Sequence, residues 1–147
     1  MKIVVDQNIR GARDTFVHHG NLRFMEGRAI TAEDVKTVDA LIIRTATRVD
    51  RALLENSSVR FVGTTSIGTD HLDIDWLDRH GIAWSNAPGC NADSAAQYTL
   101  AMIWLACQRL GKSLFEQRVG IVGRGNVGSR LEHLLQALGV QTLANDP

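Results

Sequence analysis

Gly120-Ile-Val-Gly123-Arg-Gly125-Asn-Val-Gly128 is the stretch on which the reading of this chain turns. A strand-like run, Arg118 to Val122, leads into the glycines, and an amphipathic run from Val127 to Leu138 follows them. Strand, glycine turn and helix in that order form the setting in which this spacing marks a dinucleotide-binding turn. Gly123 serves the tight turn, Gly125 the close approach of backbone to a pyrophosphate, and Gly128 the packing of helix on strand. The exposed N–H groups at the positive end of the helix, with Asn126 and Val127 in its first turn, hold the phosphates. A second apolar run, Val140 to Ala144, ends at Asp146, 18 residues past Gly128. A carboxylate there accepts hydrogen bonds from the adenosine ribose hydroxyls and favours NAD over NADP. The alternative for the same glycines is a tight turn that serves only close packing.

Length and composition set ordinary bounds. The chain has 147 residues, which corresponds to about one domain and suffices for a real core. Sixteen basic residues balance sixteen acidic ones, leaving no electrostatic footprint for nucleic acid or an anionic membrane. Lys2 is followed by a short apolar strand and Asp6, without the apolar core of a signal peptide. The longest apolar run, Leu100 to Cys107, is too short to span a bilayer. Two cysteines, Cys90 and Cys107, make neither a metal site nor a disulfide framework, and a reduced, cytoplasmic setting is expected. Cys107 lies on an apolar helix and reads as core, whereas Cys90 lies in a Pro-Gly-Cys-Asn loop that could border a ligand.

Short apolar runs recur through the first ninety residues: Ile3–Val5, Leu22–Met25, Ala40–Ile43, Arg60–Val62 and Ile82–Trp84. With helical patterns between them they predict βα units and a parallel sheet of five strands. The first connector carries Ile9, Ala12 and Phe16 on one face and stops at Gly20. The second opens with Thr31-Ala-Glu-Asp34, a capping-box variant, and presents Val35 and Val38. The third starts at Asp50 and presents Leu53 and Leu54; the fourth opens near Asp73, buries Ile74 and Leu77, and closes at Gly81. A longer helix follows, from about Ala92 to Leu110, with Asn91 or Ser94 as its cap. Leu100, Ile103, Trp104 and Cys107 form one stripe, and Ala101, Met102 and Leu105 make the other side apolar too. Such a helix is expected to be buried between layers or subunits. The organisation expected is a first domain over 1–91, an interdomain helix over 92–111, and the start of a nucleotide-binding domain over 112–147.

In open α/β sheets, ligands sit beyond the carboxyl ends of the strands. Two such ends are polar: Arg44-Thr45-Ala-Thr47-Arg48, and Gly63-Thr64-Thr65-Ser66-Ile67-Gly68-Thr69-Asp70-His71. Hydroxyls, glycine-exposed N–H groups and an arginine suit a carboxylate or phosphate. The same residues also suit solvated turns whose Thr and Ser close local hydrogen bonds. No metal site is indicated.

The whole chain resembles the D-isomer-specific 2-hydroxyacid dehydrogenases. The matching stretches are Met1-Lys-Ile-Val-Val-Asp6 with Asn8, Ile43-Arg44-Thr45-Ala-Thr47, and Phe61-Val-Gly-Thr64 through Gly68-Thr-Asp-His71. Ala87-Pro-Gly-Cys-Asn-Ala92, the glycine turn through Ser129-Arg130-Leu131, and Asp146-Pro147 match as well. The Pro-Gly-Cys-Asn-Ala stretch is characteristic of members acting on a phosphorylated hydroxy acid. The resemblance implies a flavodoxin-like parallel-sheet substrate domain followed by the first βαβ unit of a Rossmann NAD-binding domain. It implies oxidation of 4-phospho-D-erythronate at its 2-hydroxyl in pyridoxine biosynthesis, with hydride passing to NAD, and a homodimer for full-length members. Matched by position, Thr45 and Ser66 contact the substrate, with Arg44 and Gly68 beside them, and Asp146 contacts NAD.

Several positions depart from the family pattern. Thr45 stands where relatives have Ser, and Ser66 where they have Thr; both keep a hydroxyl donor. Ile67 replaces a small residue and would crowd the pocket, and Gln97 replaces Glu. Arg124 replaces a small apolar residue among the glycines and either approaches the pyrophosphate or points to solvent, the latter being the expectation. The family's catalytic Arg, Glu and His match nothing in these residues, so no catalytic residue is assigned. His71 is the one histidine of five near a proposed ligand loop, and Asp70 and Asp73 have the positions of turn and cap residues. A nucleotide-binding half needs three parallel strands before its crevice is formed, and two are present. The expectation is the front portion of a dehydrogenase, inactive by itself. Two alternatives stand: a dehydrogenase of another D-2-hydroxy acid, or a non-catalytic dinucleotide- or anion-binding remnant.

Overall fold

The computed structural model describes residues 1–146. Pro147, the last residue of the matched terminal pair, lies outside the described residues. The chain divides into two compact units, Met1–Pro88 and Gly89 onward.

Alternation at a period of two builds the first unit. In β1 (Lys2–Asp6), Val4 joins one core cluster while Ile3 and Val5 join the other. In β3 (Ala40–Ile43), Leu41 and Ile43 share the first cluster, and Ala40 and Ile42 the second. With β2 (Asn21–Met25), β4 (Phe61–Thr64) and β5 (Ala83–Ser85) they form a parallel sheet ordered β2-β1-β3-β4-β5, the flavodoxin-type order. Ile3 pairs with Leu22 on one side and Ala40 on the other. β1 and β3 are therefore apolar on both faces, as interior parallel strands must be.

The connectors are shorter than their patterns suggest: α1 (Ala12–Phe16), α2 (Ala32–Val35), α3 (Arg51–Leu54) and α4 (Ile74–Arg79). Their starts are as expected. The Asp34 carboxylate accepts from the Thr31 N–H at 3.0 Å and the Thr31 hydroxyl at 2.6 Å, and it also pairs with Arg23. Asp50 and Asp73 accept from the N–H groups of Leu53 and Trp76. The α4 face buries Trp76 and Leu77, with Ile74 only half-buried. Two strands begin one residue later than the apolar runs. Arg60 lies ahead of β4, paired with Asp39 at 3.1 Å, and the Ile82 N–H donates to Leu77 O, closing α4 before β5 begins.

The second unit holds α5 (Ala92–Arg109), β6 (Arg118–Val122), α6 (Asn126–Ala137) and β7 (Gln141–Asn145). β6 and β7 pair in parallel from Arg118–Gln141 to Val122–Asn145. Leu100, Ile103 and Cys107 of α5 pack on a core of Ala96, Leu114, Ile121, Leu131, Leu135 and Val140. Two expectations for α5 fail. Asn91 occupies the N-cap position, but no side chain caps the helix. Trp104 leaves the buried stripe, 41% exposed, and meets Phe115 edge-on at 5.9 Å. The opposite face, with Tyr98, Met102 and Leu105, is exposed on the single chain. No helix among the described residues is long and apolar enough to cross a membrane.

Candidate functional site

The glycine turn occupies the β6–α6 junction. Gly123 has φ 95°, in the left-handed region that favours glycine. A Cβ at Gly128 would lie 1.9 Å from Gly123 O and 3.4 Å from Ile121, so helix and strand meet at a contact only glycine permits. A Cβ at Gly125 would meet nothing within 4 Å, and the backbone there is open to an approaching group. The Gly123 N–H donates to Asn145 O at 2.7 Å, tying the turn to the end of β7 and hence to exposed Asp146. Val127 is half-buried, while Asn126 is exposed and its side-chain amide lies against Gly89. A cavity of about 490 Å³ is walled by Gly123, Gly125 and Val127 of the turn, Val122 of β6, and Thr99 and Ile103 of α5. Open N–H groups, a helix N-terminus of a 12-residue helix and a carboxylate beyond the second strand fit a dinucleotide.

Arg124 takes no part in that wall and stays 54% exposed, the outward placement expected of it. Its guanidinium pairs with Glu132 of α6 at 2.9 Å. Glu132 is only 9% exposed, and a carboxylate so placed draws the nearest cation to itself.

The loops after β3 and β4 divide between the two readings open to their sequence. Thr47, Thr64 and Thr65 are engaged in hydrogen bonds, two of them to residues distant in sequence. The Thr47 hydroxyl donates to Gly27 O at 2.8 Å, Thr64 Oγ1 and His71 Nε2 share a bond of 2.9 Å, and the Thr65 hydroxyl donates to Ile43 O. Thr45 stays open and, with Arg48, Gly68, Asp70 and His71, walls a cavity of about 420 Å³. Ser66 is half-buried, and its carbonyl accepts from the Ala87 N–H. Ile67 is 44% exposed and takes no part in that wall, so it does not crowd the space as expected. The geometry thus joins Thr45 with Gly68 and adds His71. Burial lowers the His71 pKa below the ordinary imidazole value, with Asp70 opposing more weakly.

Arg44 faces a second cavity, of about 430 Å³, with Asn8, Glu26, Gly27, Arg28 and Thr45. Behind it lies Asp6, fully buried at the end of β1. The Asp6 carboxylate accepts from Arg44 Nε at 3.0 Å and from the Asn8 N–H at 2.9 Å. Sequence reasoning quoted Asp6 without giving it a role and passed over Arg28 and Glu132. Nothing local marks them: Asp6 meets Arg44 38 residues away, Glu132 meets Arg124 8 residues away, and Arg28 borders a cavity shared by three separate loops.

The family described as D-isomer specific 2-hydroxyacid dehydrogenase, catalytic domain, matches residues 4–145. A protein of Sodalis glossinidius named erythronate-4-phosphate dehydrogenase is 51% identical over the whole chain, and one of Ectopseudomonas mendocina with the same name is 48% identical. In each case this chain spans 39% of the relative's length. Among solved structures, an NAD+-bound 3-phosphoglycerate dehydrogenase of Entamoeba histolytica aligns over 100% of this chain and 54% of its own, at TM-score 0.77 and 24% identity. A D-lactate dehydrogenase of Aquifex aeolicus, complexed with NAD and lactic acid, aligns over 98% of this chain and 50% of its own, at TM-score 0.75 and 19% identity. Both show a shared fold.

Proposed function

This chain belongs to the D-isomer specific 2-hydroxyacid dehydrogenases, and from that membership we propose that it carries the substrate- and NAD-binding parts of an enzyme oxidising 4-phospho-D-erythronate. The reaction converts the 2-hydroxyl to a 2-oxo group, a step toward pyridoxine 5′-phosphate. The observations that carry the reading are an open glycine turn tied to Asp146 in the second unit and, in the first, a cavity that brings Thr45 to Gly68. The names of the relatives at 51% and 48% identity supply the substrate, and NAD in the related structures supports the cofactor.

When bound at the glycine turn, NAD would supply the acceptor for the hydride leaving C2 of the substrate. The residues of this chain bind and orient. Thr45 and Ser66 hydroxyls donate hydrogen bonds to substrate oxygens, and the Gly68 backbone N–H donates where no side chain blocks approach. The N–H groups of Gly125, Asn126 and Val127 receive the pyrophosphate, Gly123 and Gly128 fix their geometry, and Asp146 accepts from the ribose hydroxyls. In the domain plan of this reading, residues 1–91 form the substrate domain, 92–111 an interdomain helix, and 112–147 the start of the NAD domain.

Competition at the Thr45–Ser66 loops tests the substrate. 4-Phospho-D-erythronate is expected to displace a weakly bound 2-hydroxy acid, whereas glycerate and lactate compete poorly. Equal competition by all three would assign the chain to another 2-hydroxy acid.

A further inference from the structure

We propose that the cavity walled by Arg28 and Arg44 is the subsite for the phosphate end of the substrate. The inference rests on reading that substrate as a phosphorylated hydroxy acid.

The cavity lies where the sheet topology leaves room for a ligand. In the order β2-β1-β3-β4-β5, the chain reverses direction across the sheet between β1 and β3, and the loops on either side leave a crevice at the carboxyl ends. Asn8 follows β1, Glu26 and Arg28 follow β2, and Arg44 and Thr45 follow β3; all five border the same space.

Arg44 is held from behind. Its Nε and one terminal nitrogen face fully buried Asp6, at 3.0 and 3.5 Å. The other terminal nitrogen is uncommitted, and the side chain is 39% exposed. A planar guanidinium fixed along one edge presents its remaining N–H groups as a preformed fork, the geometry that suits phosphate oxygens. Gly27 makes the same packing bear on Arg28. A Cβ at Gly27 would lie 2.4 Å from Asp6 and 2.9 Å from Thr47, so this backbone sits directly on the ion pair. Arg28, the next residue, has no ion-pair partner among the described residues and lines the cavity.

Thr45 borders both this cavity and the one containing Gly68 and His71. A short molecule with a hydroxy acid at one end and a phosphate at the other can therefore use both. Glu26 is the opposing charge on the phosphate side. Asp6 neutralises Arg44, so the donors that count are the free edge of Arg44 and the whole guanidinium of Arg28.

The test titrates the chain with 4-phospho-D-erythronate and with D-erythronate, following the backbone amide resonances of Thr45 and Gly68 and the guanidinium Nε of Arg28 and Arg44. The phosphorylated acid is expected to shift both sets, and the unphosphorylated acid only Thr45 and Gly68. Arg28→Gln, at an exposed position, weakens the phosphorylated acid by about tenfold or more and leaves the other within about twofold. Glu26→Gln tightens the phosphorylated acid. If that acid shifts Thr45 and Gly68 but neither arginine, or if Arg28→Gln weakens both acids alike, the subsite is overturned and the substrate reading stands. If neither acid shifts Thr45 or Gly68, both fall.

Discussion

Asp6 and Arg44 show how much one buried carboxylate organises. Asp6 has no exposed surface and depends on Arg44 and the Asn8 N–H for compensation. Removing the arginine strands a charge in the sheet. Arg44→Met is expected to lower stability by about 2–3 kcal/mol, below the full value for a wholly buried pair because Arg44 is partly exposed. Denaturant unfolding checks this, and a change below about 0.5 kcal/mol would contradict it. His71 carries a pH signature. Burial favours its neutral form in the fold, so the unfolded chain takes up the proton more readily. The stability that His71 contributes is full above the ordinary imidazole value of 6.5 and is lost as pH falls through its lowered folded value. The unfolding midpoint is expected to fall over this window, and His71→Gln to flatten that fall; an identical pH slope in the variant would contradict the assignment. At this scale the sequence was only half legible. Thr45 and Thr47 sit in one loop with the same side chain, yet one lines cavities and the other bonds to Gly27. Which hydroxyl is free is decided by Gly27, in the turn after β2, a partner that the local sequence does not contain.

The glycine turn was the most legible element, since each glycine meets a different local demand. Gly128→Ala would drive a methyl into the Gly123 carbonyl and is expected to lower stability by about 2–3 kcal/mol. Gly125→Ala fits the existing backbone, with φ −67° and open space, and is expected to change stability by less than about 1 kcal/mol while weakening NAD about tenfold or more. Parallel unfolding and NAD titrations separate the two, and equal effects of both substitutions on both readouts would contradict the division of roles. Strand positions were legible from apolar runs, but their first residues were not. Arg60 and Ile82 lie next to strands yet bond elsewhere, to Asp39 and to the end of α4. The outward placement of Arg124 was legible, but its partner Glu132, one helical stretch on, was not.

For the whole molecule, the order of a five-stranded sheet followed by a βαβ unit was legible because each rests on a repeated pattern. What α5 covers was not: its sequence is apolar all round, while the fold buries only one stripe. The chain spans 39% of the length of the erythronate-4-phosphate dehydrogenases it resembles. Titration of the polypeptide with NAD and with NADP, followed by calorimetry and repeated with Asp146→Ala, tests the central claim most directly. The account predicts saturable NAD binding, weaker NADP binding, and loss of that preference in the variant. No saturable NAD binding, or the same NAD preference after Asp146 is removed, would contradict it.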